Sequence, residues 1–426
     1  MSFGDYLFGV AGLAAVAIPM ALAAVRLRAR LLPGWTGAPA RLAEAVLGVA
    51  LLTILLQLLG AFGILVPAVL IPAALLVGLG LYFGPWLRPA ADAPVVPLAP
   101  AVPVLQTVLA LVAATFVAAH WATGLQDVWG RGMLTFDTLW YHGPFAARIA
   151  DTGSVWGMHF TDPLYLNWFY PENSELLHAA GIVLFNRDIF SPLVNFGWLG
   201  VALLAAWCIG RPYGVAPLSL TAAAIAMDTG PMVPREAGTP ATDTAPVALL
   251  LAAAAILINA WAVRRGAAEP TPDGGAAGTP GEASRRSRRP QPPTADSPPA
   301  GAPSAAPTMG ALLIAGLAMG IALGTKLTVS GVTAAMAIGV VFLVPKQVRW
   351  KAFWVFVAGV AAVAGFWFLR NLTHSGNPLP WVRHIGPIDL PGPNRGLEGR
   401  DDFTVAHYIF SNPSTSLWRT YFLNPI

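Results

Sequence analysis

Apolar runs long enough to cross a lipid bilayer recur along nearly the whole chain, with arginines gathered at their ends. A run of roughly 18 or more such residues spans hydrocarbon as a helix, since only helices and closed barrels satisfy every backbone polar group there. No ten-residue alternation of apolar and polar positions suggests a barrel. Of the 426 residues, 56% are hydrophobic and 11% charged, against about 25% charged in an ordinary soluble domain. The expected fold is all-α, a polytopic transmembrane bundle of about 10–11 hydrophobic helices with a structured extracytoplasmic loop that carries short helices.

Charge orients the spans. The first run, Tyr6 to Val25, has neither a basic leader nor a small-residue cleavage site, and reads as a retained helix. It ends at Arg26, Arg28, Arg30 and Arg41, a cluster that the positive-inside rule makes cytoplasmic, with the N-terminus outside. The run from Ala45 to Phe83 is too long for one crossing and turns back near Gly60-Ala61-Phe62-Gly63. Arg88 and a Pro-rich stretch to Pro103 return inside, and Val104 to Ala122 crosses outward. Further spans are Pro192 to Ile209, Pro246 to Val263, Met309 to Gly324, Thr328 to Val344 and Ala352 to Leu369. Two apolar runs, Glu175 to Phe185 and Val215 to Met227, are short for a crossing. Either one of them is re-entrant or the loops are reversed.

The organisation that follows has N-terminal membrane helices in 1–125, a polar loop in 126–175, more helices in 176–265 and a linker in 266–308. Helices resume in 309–369, followed by an extracytoplasmic tail or loop, 370–426. The linker is almost wholly Ala, Gly, Pro, Ser, Thr and Arg, which supplies no core; it is expected to be disordered, cytoplasmic and near anionic headgroups. A formal charge of +4 and a pI near 9.4 reflect these arginines and the membrane topology; no nucleic-acid ligand is implied. The single cysteine, Cys208, lies inside a span and excludes an internal disulfide.

Polar and charged residues gather in Met133 to His178, a loop dense in aromatics and expected to be folded. Asp137, in Phe-Asp-Thr-Leu-Trp-Tyr-His, follows a membrane exit, and Pro144 suits the first turn of a helix. If the residues before Gly143 are helical too, Asp137 and Tyr141 share a face. Held against aromatics near lipid, such an acid would lose hydration and serve as a general base; the plainer reading is a helix cap or an ion pair with Arg131 or Arg148. His142, His159 and His178 have no zinc spacing, so hydrogen bonding or packing is the expected role, and a divalent metal is left open. Tyr170-Pro171-Glu172-Asn173-Ser174-Glu175 reads as a helix start capped by Asn173 or Ser174, with Glu172 as a candidate second carboxylate. Lys326, between two apolar runs, either snorkels or meets an anion such as a lipid phosphate, and Arg370 presents the same choice.

Four stretches, in this order, resemble the GT-C superfamily of integral-membrane glycosyltransferases, the group of protein O-mannosyltransferases and lipid A aminoarabinose transferases. They are FDTLWYHGPFAARIADTGS, YPENSELLHAAGIVLF, ATDTAPVALLLAAAAIL, and GLAMGIALGTKLT followed by RNLTHSGNPLPW. The resemblance implies a bacterial plasma-membrane enzyme with its active site outside. Such an enzyme takes a sugar from a polyprenyl-phosphate donor to a cell-envelope glycan, lipid or protein acceptor, in contact with membrane lipids. It implies that Asp137 is catalytic, that Asp243 is a second-loop acid near donor or acceptor, and that Lys326 and Arg370 face the donor phosphate. Tyr141, His142 and Glu172 join them as donor or acceptor contacts. The chain departs from the pattern in its three extra N-terminal helices, in Thr138 where a second carboxylate often stands, and in stopping at Ile426 without further helices, which leaves open that it is a fragment.

With no Walker motif and no G-x-G-x-x-G after a strand, a soluble-type nucleotide-sugar site has no support. A phosphate leaving group needs little protonation, so one base and a few cations suffice, and attack opposite the phosphate inverts the anomeric centre. The competing class is a transporter or flippase for a lipid-linked substrate, which accounts for the spans but leaves the aromatic loop unused.

Overall fold

The structure, a computed structural model, describes residues 2–87, 100–158, 167–268, 307–380, 382 and 384–392. Arg88, His159, most of the 266–308 linker and the tail beyond residue 392 lie outside the described residues.

The chain is almost entirely helical. In order the helices are α1 Phe3–Leu31, α2 Gly37–Ala61, α3 Pro67–Phe83, α4 Val104–Arg131, α5 Gly143–Thr152 and α6 Asn173–Phe185. Then come α7 Ser191–Gly210, α8 Ala216–Met227, α9 Met232–Glu236, α10 Thr244–Ala268, α11 Met309–Leu323, α12 Ser330–Phe342 and α13 Arg349–Ser375. The strands among the described residues are β1 His384–Ile385 and β2 Ile388–Asp389, a small antiparallel hairpin. Six helices are long and apolar enough to cross a membrane, and α3, α8, α11 and α12 are shorter apolar helices packed among them. This is a multi-pass membrane protein. The turn expected at Gly60 to Gly63 is present, with Gly63 at φ 70° between α2 and α3.

The bundle has two chemically different ends. At the arginine end, Glu44 of α2 pairs with Arg28 at 2.9 Å and Arg41 at 2.7 Å. At the loop end lie the α2–α3 turn, residues 132–158, the start of α6, and the last turns of α11 and α13. They are tied together by Val155 N–H to Gly60 O at 3.1 Å, Leu65 N–H to Gly153 O at 3.1 Å, and Asn173 N–H to Gly324 O at 2.8 Å.

Close packing is set by small residues at crossings, as expected where lipid provides no hydrophobic drive between helices. The Gly316-Leu-Ala-Met-Gly320 stretch of α11 faces α13. A Cβ added at Gly320 would sit 2.6 Å from Val360 O, and one at Gly359 would sit 2.6 Å from Leu313 O. Helix α11 is buried through Ala311, Leu312 and Ile314 to Leu323, so it is the central post against which α2, α10 and α13 pack.

The two short apolar runs behave differently. Helix α6 begins against the end of α2 and the last turn of α11, where Gln57 Nε2 donates to Asn173 Oδ1 at 2.8 Å. It ends with Phe185 over Gly9 and Tyr6 in the first turns of α1. Both its termini therefore lie at the loop end, so α6 crosses that end sideways. Its 13 residues span about 20 Å, less than the roughly 30 Å of hydrocarbon. Helix α8 instead runs from the turn after α7, where Val215 N–H bonds Gly210 O at 3.0 Å, toward the loop end. There the Trp121 indole donates to Met227 O at 3.0 Å and His120 meets Asp228 at 2.7 Å.

Candidate functional site

Helix formation in the polar loop starts at Phe136, and residues Thr138–His142 form a π-helical turn that runs into α5. Its defining bond is Gly143 N–H to Thr138 O. A Cβ at Gly143 would stand 2.8 Å from that oxygen, so glycine is the residue that lets the wide turn close, and such turns gather at functional sites. Asp137 stands on the lip of this turn. It is exposed, makes no side-chain cap bond, and forms no ion pair among the described residues. The two arginines weighed as its partners are engaged elsewhere, Arg131 with Asp127 at 3.0 Å and Arg148 with Asp151 at 3.8 Å. Phe136 and Trp140 pack on each other with centroids 5.2 Å apart. The loss of hydration expected of Asp137 does not occur within the protein, because its side chain is exposed. Tyr141 is half-buried, its ring 4.0 Å from that of His142 and 6.0 Å from Phe145.

Beneath the turn lies a buried polar chain. His142 Nδ1 is hydrogen-bonded to Glu175 Oε1, and both side chains are buried. Glu172 precedes α6 and turns its Oε1 to Arg370 Nη1 at 2.9 Å, with both side chains 1% exposed. Arg370 also donates to the carbonyls of Trp168 and Tyr170, the latter at 3.1 Å, and its guanidinium lies 4.6 Å over the Trp367 ring. Neither Asn173 nor Ser174 caps α6 as expected. Glu172 occupies the cap position without capping, because its carboxylate serves the guanidinium. Asn173 is drawn to the other side, accepting from Gln57 and from the Trp367 indole at 2.7 Å. Burial pushes the Glu172 carboxyl up to about 8, with the Arg370 guanidinium opposing the rise.

His178, one turn beyond Glu175 and also buried, has neither ring nitrogen bonded among the described residues. Burial first, and His142 second, hold it down to about 3 and therefore neutral. Glu175 Oε2, Glu172 Oε2 and Ser174 Oγ are likewise buried without a hydrogen-bond partner among the described residues. So dense a set of unmet polar atoms is unusual in a packed interior.

A second group adjoins the first through α11. Lys326 follows that helix, and its ammonium pairs with Asp243 at the start of α10. Both are partly exposed, and both lie at the loop end with Asp137. Buried Glu236 accepts from Thr244 N–H at 3.0 Å and from Thr244 Oγ1 at 2.8 Å, closing the α10 terminus, while Asn195 reaches the carbonyls of Thr239 at 2.9 Å and Ala241 at 2.8 Å. Burial raises the Glu236 carboxyl above its ordinary range.

The structure thus joins His142 to Glu175, Glu172 to Arg370, and Asp243 to Lys326, and leaves Asp137 exposed with no ion pair among the described residues. Arg370 is 2% exposed, so its charge is spent inside the protein, where the sequence reading placed it against a donor phosphate. Gln57, Asn195, Glu236 and Trp367 were missed by sequence reasoning. A lone Gln in the apolar stretch around Gln57 was the available signal, since polar residues in membrane helices face partners. Among the described residues no three His, Cys, Asp or Glu side chains converge as a metal would require. Comparison with protein families, with curated proteins and with solved structures finds no match to this chain.

Proposed function

We infer that this membrane protein is a glycosyltransferase that moves a sugar from a polyprenyl-phosphate donor to a hydroxyl acceptor at its loop end, outside the plasma membrane. The observation that supports this reading most is Asp137, an exposed carboxylate without a partner among the described residues, on a turn pinned from below by His142 and Glu175. A general base needs such an arrangement, with the carboxylate open to substrate and its backbone held.

In the proposed reaction an acceptor hydroxyl gives its proton to an Asp137 oxygen as its own oxygen forms a bond to the anomeric carbon. The bond from that carbon to the phosphate oxygen breaks, and its electron pair leaves with the phosphate. Attack from the face opposite the leaving group inverts the centre. Lys326, released from Asp243, neutralises the departing phosphate. Glu172 and Arg370 act by holding α6, and through Glu175 the turn that carries Asp137; Tyr141 borders the acceptor.

Membranes holding the chain should transfer label from one of a panel of polyprenyl-phosphate sugars. Asp137→Asn keeps shape but takes no proton, so turnover should fall roughly 10²-fold or more at matched protein level, with donor binding retained. Lys326→Ala should chiefly weaken donor capture. Near-normal transfer by Asp137→Asn would remove that residue from the mechanism. Movement of intact donor across the bilayer without transfer would favour a flippase.

A further inference from the structure

Asp243 is an exposed side chain between buried Thr242 and Thr244, at the end of a loop that the bundle holds from three sides. Glu236, 1% exposed, turns Oε2 back to accept from Thr244 N–H at 3.0 Å and from Thr244 Oγ1 at 2.8 Å. Asn195 of α7 donates its amide to Thr239 O at 2.9 Å and to Ala241 O at 2.8 Å. Gly238, at φ 76°, lies against α4, where an added Cβ would stand 3.0 Å from Val128 and 3.2 Å from Gly124 O. Facing this loop, Lys326 follows α11 on a flexible stem and sets its ammonium on Asp243, the two side chains being 32% and 55% exposed.

An ion pair this exposed contributes little to stability, whereas burying the Glu236 carboxyl is costly. The buried clamp is therefore out of proportion to a structural salt bridge, and it fixes one partner only. Asp243 cannot follow the ammonium, while Lys326 can swing away from it. That asymmetry has a use in the proposed reaction, and the inference rests on the reading that Lys326 meets a phosphate. A polyprenyl-phosphate sugar is a phosphodiester with a single negative charge. Loss of its sugar leaves a phosphate monoester with about 1.5 to 2, which a lone lysine would hold more tightly than the donor. We propose that Asp243 is a tethered competitor for Lys326: it yields the ammonium when a phosphate arrives and retakes it so that the phosphate monoester leaves. A phosphate at Lys326 both breaks the pair and comes to lie beside a carboxylate, so its binding is weakened twice. Glu236 and Asn195 are the positioning residues that hold the competitor in place.

The test reads binding without transfer. The full chain in maltoside micelles is treated with trace succinimidyl acetate, and acetylation of Lys326 is followed by mass spectrometry against Lys346 and Lys351, the chain's other two lysines. Decyl phosphate and inorganic phosphate are titrated in as protecting anions. Stronger protection by decyl phosphate marks a lipid-linked source, and equal protection a free anion. In Asp243→Asn the unliganded Lys326 should acetylate faster, because a carboxylate no longer covers its ammonium, and half-protection should come at about two- to fivefold less phosphate. Glu236→Ala, which frees the loop, should shift both readings the same way, and Glu236→Gln, whose amide oxygen still accepts from Thr244, should restore the wild-type values. Half-protection of Asp243→Asn at equal or higher phosphate would overturn the proposal, since Asp243 would then not compete with the anion. So would a Lys326 that neither anion protects in any of these proteins. If the shifts appear while membranes transfer no sugar, the phosphate site stands and the proposed reaction falls.

Discussion

Replacing Arg370 by Met should destabilise the protein more than any other single change at the loop end. The guanidinium holds Glu172 at 2.9 Å, donates to the Trp168 and Tyr170 carbonyls, and stacks over Trp367, all at 2% exposure. Methionine fills much of the volume but leaves a buried carboxyl and two carbonyls unmet. Removing one partner of a buried pair typically costs about 3–5 kcal/mol. At about 2 °C per kcal/mol for a large domain, the midpoint should fall by roughly 6–10 °C. Glu172→Gln should cost less, about 1–3 kcal/mol, because the amide oxygen still accepts from the guanidinium. The double variant Glu172→Leu with Arg370→Met removes both charges and should be much milder than the sum. The assay is melting of the detergent-solubilised chain followed by gel filtration, with the four proteins at one lipid content and at one pH above about 8, where Glu172 is ionised. An Arg370→Met protein that melts with wild type, or a double variant whose loss equals the sum of the singles, would refute the claim that the pair is coupled and buried.

The raised Glu172 pKa sets a pH dependence with a definite sign. Its value of about 8 in the fold exceeds the ordinary 4.5, so the folded state binds the extra proton, and that contribution is complete below about pH 4.5 and is lost as pH rises to about 8. Because buried His178, held down to about 3, contributes the opposite slope up to about pH 6.5, the test is the difference: the stability of wild type relative to Glu172→Gln should fall from about pH 4.5 to about pH 8, and parallel profiles would show that another group titrates. Gly143→Ala places a methyl 2.8 Å from Thr138 O, which should convert the π-helical turn to ordinary helix and misplace Asp137. Transfer should then drop at least about tenfold at near-normal expression, whereas unchanged transfer would show that the turn is irrelevant to catalysis. Cysteines introduced by Ser154→Cys and Ser287→Cys should differ toward an impermeant thiol reagent on intact cells, with labelling only at 154; labelling only at 287 would invert the orientation.

Much of the architecture was legible in the chain because the signal is local. Whether a stretch such as Val104 to Ala122 spans hydrocarbon depends on its own length and polarity, and the Gly63 turn and the Pro144 helix start follow from residue stereochemistry at those positions. The same apolarity hides facing. A membrane helix is apolar all round, so no stripe tells which side of α2 meets α11 and which meets lipid. Gln57 shows only that a partner exists; that the partner is Asn173, 116 residues away, is a property of how α2, α6 and α13 come together.

Partner choice at the loop end was likewise decided in three dimensions. Asp137 and Arg148 lie close in sequence and do not pair, while Lys326 and Asp243, 83 residues apart, do. His142 and Glu175 meet because α6 turns sideways across the bundle, a path that its 13 residues permit but do not specify. Sequence determined that this chain crosses a membrane many times and gathers its polar residues in one loop. The tertiary structure alone decided which of those residues are spent on one another inside the protein, because burying a charge requires a partner at hydrogen-bond distance, and only packing brings distant helices that close.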